Sequence, residues 1–271
     1  MPELPEVEVL VRHLRPQLLG RRIRAVTVRR RLVLDPTTPA ALTRVLVGAT
    51  FGDVRRRGKF LLFSLTVPRR ARPVLLVGHL GMTGRMYLAA PSAPLAKHAA
   101  VVLDLGGDRF ILEDTRYFGR LTLDTTSLER LGPEPLEAGF NVEEFGAALA
   151  RSAQAIKVKL LDQSLVAGVG NIYASEALFR AGVRPGRRAG RLTRAEAARV
   201  ALAVGETLDE ALAAGGSSLV DYRDAEGREG GYQNLFRVYD REGLPCLRCA
   251  SAIRHQTTAG RSTYYCPSCQ R

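Results

Sequence analysis

The chain has 271 residues, of which 46% are hydrophobic and 25% are charged. These proportions are ordinary for a globular protein and predict one large domain or two modest ones, each able to bury a core. No stretch approaches the roughly 18 consecutive apolar residues of a membrane-spanning helix, and the acidic N-terminus lacks the positive region of a signal peptide. We therefore expect a cytoplasmic protein.

Positive charge is the second compositional feature. Forty Lys and Arg against 27 Asp and Glu give a formal net charge of +13, which favours a polyanionic partner such as nucleic acid. The cations are clustered at residues 29–31, 55–59 and 184–194, whereas residues 124–144 are mainly acidic. On charge alone a solvated basic surface is the alternative, but the clustering predicts a nucleic-acid-binding face and an acidic back.

The first half of the chain predicts one helix followed by many strands. Leu4 to Leu18 place apolar side chains at helical spacing, and the helix is expected to stop at Gly20. From Ile23 to Leu123, short β-rich runs alternate with Gly, Pro and Arg clusters, which predicts a β-sandwich or barrel. Examples of these runs are Ile23–Val28, Phe60–Val67, Val74–Val77, Ala99–Leu105 and Phe110–Leu112. The acidic segment LGPEPLEAGF at 131–140 is interpreted as a linker.

The second half predicts helices. Apolar spacing and capping residues indicate four of them, over residues 141–150, 154–162, 171–182 and 193–215. Asn141, Asn171 and Thr193 are the expected N-terminal caps. Residues 215–231 are rich in Gly, Ser and charge, so we expect a mobile loop there.

All four cysteines lie near the C-terminus, in two CxxC pairs: Cys246 with Cys249, and Cys266 with Cys269. Such pairs bring four thiolates to one tetrahedral metal ion, and the span between them suits a β-hairpin. Two disulfides and redox chemistry are the alternatives. A cytosolic protein would rarely keep the disulfides, and two CxxC pairs with no other cysteine favour a metal over redox chemistry. The spacing therefore predicts one structural zinc ion. Six Arg against two acids between Arg237 and Arg271 predict that this element touches phosphate.

Several motifs occur in one order along the whole chain: MPELPEVE, RRGKFLLF, HLGMTGR, EDTRYFGR, AGVGNIYASEALF and the final CxxC…CxxC. Together they resemble the formamidopyrimidine-DNA glycosylase family from residue 1 to residue 271. The resemblance implies an α+β fold with four parts. These are an N-terminal helix and β-sandwich (1–130), the linker (131–140), a helical domain with a helix–two-turns–helix motif (141–236) and a zinc finger (237–271). It also implies that DNA lies between the two larger domains.

The resemblance assigns a catalytic group. Removal of Met1 would expose the secondary amine of Pro2, and a free α-amine with a pKa of about 8 is partly neutral near pH 7. Attack at the sugar C1′ would displace the damaged base and leave a cationic imine, from which β- and δ-elimination follow. Similarity to the family implies that Glu3 protonates the sugar ring oxygen and that Glu6 supports the site. It further implies that Lys59 is a proton donor in β-elimination and that Arg261 acts in δ-elimination or contacts phosphate.

The same resemblance assigns DNA contacts. The target base must leave the stack, and Met82, Arg116 and Phe118 match the family's set that fills the void, with Arg116 facing the orphaned cytosine. Ordinary core packing is the alternative for Met82 and Phe118. Asn171, Lys157, His98 and Arg151 match backbone contacts, although for His98 and Arg151 a solvated surface position is the alternative. Tyr117 stands where the family pattern DPRRFG has an arginine, which puts one basic contact in doubt.

Three functions fit these observations. The resemblance favours excision of oxidised purines such as 8-oxoguanine and formamidopyrimidines, followed by strand cleavage, by a monomer on double-stranded DNA. An endonuclease VIII-like glycosylase for oxidised pyrimidines would use the same chemistry. A non-catalytic DNA-binding zinc protein would keep the fold, but the intact Pro2, Glu3 and Lys59 argue against it.

Overall fold

The computed structural model describes residues 1–217 and 230–271. The chain divides into two compact units. The first contains Met1–Pro2, Glu6–Glu129 and Ser217–Gly230, and the second contains Glu3–Pro5, Arg130–Gly216 and Gly231–Arg271. Most of the loop predicted at 215–231 lies outside the described residues. No helix in the described part of the chain is long and apolar enough to cross a membrane.

The predicted N-terminal helix is confirmed as α1, which spans Leu4–Leu18. Its apolar face is buried, with Val7 and Leu14 both fully shielded from solvent, so packing of this face stabilises the helix. The helix ends two residues before Gly20, whose φ of +75° is a conformation that glycine adopts without steric cost.

Two antiparallel four-stranded sheets follow. One has the order β2-β3-β4-β8 and the other β1-β6-β7-β5. Their strands are β1 (Ala25–Val28), β2 (Thr50–Arg57), β3 (Phe60–Thr66), β4 (Val74–His79), β5 (Gly84–Ala89), β6 (Ala99–Asp104), β7 (Arg109–Asp114) and β8 (Arg120–Thr122). Two short helices, α2 (Pro39–Leu46) and α3 (Thr126–Glu129), belong to the same unit.

The two sheets pack face to face over an aromatic core. Phe51 and Phe63 come from one sheet and Phe110 from the other. The rings of Phe63 and Phe110 lie 5.5 Å apart in an edge-to-face arrangement, a favourable geometry for an aromatic pair. The predicted β-sandwich is therefore confirmed.

The second unit is helical, as predicted. It contains α4 (Val142–Ala150), α5 (Ile156–Leu160), α6 (Asn171–Ala181) and α7 (Arg194–Ala213). Asn141 caps α4 through the backbone N–H groups of residues 143 and 144, and Thr193 with Glu196 forms a full capping box on α7. The α5 helix is shorter than the predicted 154–162.

The segment 131–140 has no regular secondary structure, yet it is packed rather than loose. The N–H of Gly132 donates to the carbonyl of Gln163 at 2.8 Å, and a Cβ on Gly132 would lie 2.3 Å from the Ser164 carbonyl oxygen. Glu134 is also buried. The composition indicated a linker because it could not reveal these backbone contacts within the second unit.

The cysteine-rich end forms the predicted hairpin, with β9 (Arg254–Thr258) antiparallel to β10 (Arg261–Tyr265). Its small core consists of Val238, Ile253 and Cys266 packed with Phe179 of α6. This core joins the hairpin to α6 within the second unit.

Candidate active site and nucleic-acid interface

Residues 2–7 are buried, and Glu3 is only 2% exposed. One Glu3 carboxylate oxygen accepts the N–H of Ile172 at 3.0 Å, in the first turn of α6. A carboxylate is stabilised there by the helix dipole and the unsatisfied N–H groups. The glycines of the VAGVG motif make room for it, because a Cβ on Gly170 would lie 2.3 Å from the Glu3 carboxyl carbon.

The prediction that Asn171 caps α6 is wrong. Gly170 is the N-cap and Asn171 is the first helical residue. The Asn171 amide instead donates to the carbonyl of Ser262 at 3.0 Å and lies 3.5 Å from the Tyr239 hydroxyl. The capping prediction failed because a carboxylate distant in sequence supplies the acceptor at this helix end. A DNA contact by Asn171 stays a prediction.

Lys157 lies beneath the hairpin and is only 1% exposed. Its ammonium group donates to the Ser262 carbonyl at 2.7 Å and to the Thr263 hydroxyl at 2.9 Å. Burial lowers its pKa to about 7, an effect that Glu3 opposes and Arg261 reinforces. A contact between Lys157 and the DNA backbone stays a prediction.

The two remaining site residues predicted in the second unit, Arg261 and Arg151, are exposed. Arg261 is the first residue of β10, and Arg151 follows the last turn of α4. Arg261 directly precedes Ser262, whose carbonyl accepts hydrogen bonds from both Lys157 and Asn171. The base of the Arg261 side chain is therefore held by a fixed backbone while its guanidinium reaches solvent.

In the first unit, Glu6 is buried and one of its oxygens accepts both the N–H (2.8 Å) and the hydroxyl (3.0 Å) of Ser217. This carboxylate fixes the last described residue before position 218. Lys59 is 6% exposed and follows Gly58, a turn residue with φ of +55°, between β2 and β3. Pro2 is buried.

His79, at the end of β4, is a candidate functional residue that the sequence analysis did not identify. Its Nδ1 accepts the N–H of Gly81 at 3.0 Å. Burial, with further effects from Lys59 and Arg120, lowers its pKa to about 4. The ring is therefore neutral at pH 7, and Nε2 carries its hydrogen. The HLGMTGR motif contains the signal, but only Met82 was taken from it.

The structure brings Met82, Arg116 and Phe118 together. Met82 lies in the turn between β4 and β5, and the other two lie in the turn between β7 and β8. The Arg116 guanidinium lies 3.3 Å from the Met82 sulfur and 4.7 Å from the centre of the Phe118 ring. Met82 is 43% and Phe118 50% exposed, so these apolar groups are not core residues.

Tyr117 connects two further side chains, those of His98 and Arg30, to this turn. Its φ of +55° is a strained conformation for a non-glycine residue. Its hydroxyl lies 3.3 Å from Nδ1 of His98, and the Arg30 guanidinium lies 5.2 Å from the centre of its ring. Positive charge is therefore present beside Tyr117, on Arg30.

The four cysteine sulfurs lie within 4.8 Å of one another. Four thiolates at this spacing are the ligand set of a structural zinc site, with no position left for substrate. Zinc would hold the ends of the hairpin together, and with them the backbone of β10.

Glu176 of α6 was also missed. Its buried carboxylate accepts the N–H groups of Arg237, Val238 and Tyr239 at 2.8–2.9 Å, while burial raises its pKa. It thereby fixes the segment that places Tyr239 beside Asn171. No local pattern marks Glu176, because its partners lie about 60 residues away along the chain.

Three family models match the chain. They are the formamidopyrimidine-DNA glycosylase N-terminal domain over residues 1–121, the H2TH domain of the same enzyme over residues 131–222, and the zinc finger found in FPG and IleRS over residues 243–271.

Individual proteins agree with the models. The formamidopyrimidine-DNA glycosylase of Desulfitobacterium hafniense is 44% identical over 277 residues, covering both chains completely. The crystal structure of the MutM (Fpg) protein from Thermus thermophilus is 44% identical, with a TM-score of 0.88 over 99% of this chain and 98% of that one. The wild-type Lactococcus lactis Fpg (MutM), in complex with DNA containing N7-benzyl-Fapy-dG, is 34% identical with a TM-score of 0.91 over both complete chains.

Proposed function

Because this chain belongs to the formamidopyrimidine-DNA glycosylase family, we propose that it excises oxidised purines from duplex DNA and cleaves the strand at the abasic site that remains. The observation that carries this proposal is the buried Glu3 carboxylate, bound at the N-terminus of α6 next to Pro2 in the sequence. An acid fixed beside a potential amine nucleophile is the arrangement that base displacement needs.

The first step is attack by Pro2. After Met1 is removed, the lone pair of the proline nitrogen forms a bond to C1′ of the sugar. The glycosidic bond breaks and its electron pair leaves with the damaged base. Glu3 protonates the sugar ring oxygen and the N–H proton of Pro2 passes to the departing base, so the ring opens to a cationic imine between Pro2 and C1′. Because the amine is secondary, the imine carries its charge without needing a proton.

Strand cleavage uses the same intermediate. The cationic imine accepts the electron pair of the C2′–H bond when that proton is lost, and the 3′ phosphate then leaves. Loss of the 5′ phosphate by a second elimination follows. In this proposal Lys59 donates a proton during β-elimination, and Arg261 binds a phosphate at the second step. Glu6 supports the site by fixing Ser217.

Access to the base depends on the exposed groups of the first unit. Extrusion of the lesion leaves a void, which Met82 and Phe118 fill while Arg116 faces the orphaned cytosine. A guanidinium can donate two hydrogen bonds to the acceptor edge of cytosine. His98, Arg151 and Asn171 contact the phosphate backbone, and one chain acts on one lesion.

Borohydride trapping on a panel of lesion duplexes tests this proposal. The panel contains 8-oxoguanine, a formamidopyrimidine and an oxidised pyrimidine, each opposite cytosine or its normal partner. We expect a stable crosslink, mapped to Pro2, that forms fastest with the two purine lesions. Pro2→Gly replaces the secondary amine with a primary one and should abolish or strongly reduce excision, while binding of the damaged DNA is retained.

Other outcomes overturn parts of the proposal. A crosslink on Lys59 would refute the Pro2 assignment, and faster trapping on the pyrimidine lesion would indicate an endonuclease VIII-like specificity. Binding without any trapping or excision would indicate a non-catalytic DNA-binding protein.

A further inference from the structure

The turns that carry Met82, Arg116 and Phe118 touch through their backbones. Gly81 has φ of +62°, and a Cβ on it would lie 2.6 Å from the Phe118 carbonyl carbon and 2.7 Å from the Gly119 nitrogen. No side chain fits in that space. The turn between β4 and β5 therefore rests directly on the turn between β7 and β8.

One buried side chain binds both turns. Asp114, the last residue of β7, has no exposed surface. One of its oxygens accepts the Thr83 hydroxyl at 2.5 Å and the N–H of Arg116 at 3.0 Å. The other oxygen accepts the N–H of Gly119 at 2.6 Å.

These three hydrogen bonds have a clear geometric effect. The bonds to residues 116 and 119 enclose Tyr117, whose left-handed backbone is disfavoured for a tyrosine and must be held by its surroundings. The bond to Thr83 fixes the residue after Met82. Hydrogen bonds to a buried carboxylate are short and strong, so one side chain sets the spacing of all three exposed groups.

We propose that Asp114 is a positioning residue that fixes the relative positions of Met82, Arg116 and Phe118. It thereby sets the discrimination between bases opposite the lesion and the insertion of Met82 and Phe118 into the duplex. This inference rests on the proposed function of those three residues. Asp114 is fully buried and acts only through the backbone of Arg116 and Gly119 and the side chain of Thr83.

Two substitutions separate its contacts. Asp114→Asn keeps the shape but replaces one acceptor oxygen with a donor, which loses the hydrogen bond from the N–H of either Arg116 or Gly119. Thr83→Val keeps the shape and removes only the connection between the turns. Thr37→Val is the matched control, because Thr37 is also half-buried in the first unit but bonds to Thr122 and to the N–H of Leu123.

The main measurement is the ratio of single-turnover excision rates for 8-oxoguanine opposite cytosine and opposite adenine. We expect Asp114→Asn to lower this ratio about tenfold and Thr83→Val to lower it by a smaller factor, while Thr37→Val retains the wild-type ratio. A purely structural role would lower both rates together and leave the ratio unchanged, which would overturn the proposal. If Asp114→Asn does not fold, an unchanged ratio in Thr83→Val overturns it.

A second readout is independent of catalysis. A 2-aminopurine beside the lesion reports unstacking when Phe118 enters the duplex, and both variants should reduce this signal relative to Thr37→Val. If Arg116→Ala leaves the excision ratio unchanged, the proposed role of Arg116 fails. The 2-aminopurine signal then still decides whether Asp114 positions Phe118, since an unchanged signal in both variants refutes it.

Discussion

The first unit carries its candidate functional groups on exposed turns, whereas the second unit holds Glu3 and Lys157 in its interior. Phe118 and Met82 are about half exposed, and their positions are fixed by a hydrogen bond and a close contact of the backbone of their turns. Glu3 and Lys157 are almost fully buried, and each is hydrogen-bonded through at least one of its own polar atoms. A side chain that enters a duplex must be exposed and carried by a rigid backbone, whereas a group that transfers a proton must have a fixed orientation.

The largest effect on excision should come from the loss of the buried Glu3 carboxylate. Glu3→Gln keeps an oxygen that can accept the Ile172 N–H, so the local structure persists while the acid is lost. We expect single-turnover excision of 8-oxoguanine opposite cytosine to fall about 10²- to 10⁴-fold, the usual range for a general acid. Cleavage of a preformed abasic site should fall less. A loss of excision below tenfold would show that Glu3 is not the acid.

Loss of the metal should affect the second unit and spare the first. In Cys266→Ser we expect the ends of the hairpin to separate. Strand β10 then no longer positions Arg261 or accepts the hydrogen bonds of Lys157 and Asn171. We expect duplex affinity to fall on the order of a hundredfold, because several phosphate contacts are lost together. The preference for cytosine over adenine opposite the lesion should persist. Ser268→Ala is the control that keeps all four ligands, and a wild-type affinity for the metal-free variant would contradict this expectation.

Arg116→Ala and Arg261→Ala compare base recognition with phosphate binding. Loss of a bidentate contact to a base costs about 1–3 kcal/mol, so Arg116→Ala should reduce excision opposite cytosine roughly tenfold more than opposite adenine. Arg261→Ala should weaken binding to both pairs equally and reduce the salt slope by about one. The measurements are excision rates on both pairs and affinities at several salt concentrations. An equal loss on both pairs in Arg116→Ala would make it a general DNA contact.

The smallest effect concerns stability in acid. The pKa of His79 is about 4 in the folded chain and about 6.5 when unfolded. Between these values the unfolded chain binds the extra proton, so the free energy of unfolding falls as the pH falls. From pH 7 to pH 5 this contribution is about 2 kcal/mol.

His79→Asn tests that contribution, because its oxygen can still accept the Gly81 N–H but does not titrate. Hydrogen exchange of β3 and β4 at pH 7 and pH 5 measures the local stability. The variant should lose less protection in acid than the wild type. Equal losses would show that His79 does not control the acid response.

Local patterns predicted much of the fold but few of the contacts at the site. The helix at Leu4–Leu18 and the capping box at Thr193 depend on neighbours in sequence, and both were confirmed. Strand β2 was missed because its Arg55–Arg57 run suggested a basic cluster, although these side chains lie on a sheet-forming backbone.

Long-range contacts account for the failures at the site. The acceptor for the N-terminus of α6 comes from Glu3, 169 residues away, so the sequence around Asn171 could not reveal it. The local sequence likewise does not reveal that Lys157 is buried, because the acceptors of its ammonium group belong to a distant hairpin. Asp114 lies within the quoted EDTRYFGR motif, but its hydrogen bond with Thr83 becomes visible only when β5 is paired with β7.

The contact at Gly81 has a consequence for protein engineering. Because the two turns meet backbone to backbone, exchanging the Arg116 turn alone with that of a relative would alter the surface against which Gly81 lies. A graft intended to change opposite-base preference should therefore transfer residues 80–84 and 114–119 as one module. In directed evolution, substitutions in one of these segments should be accepted mainly together with substitutions in the other.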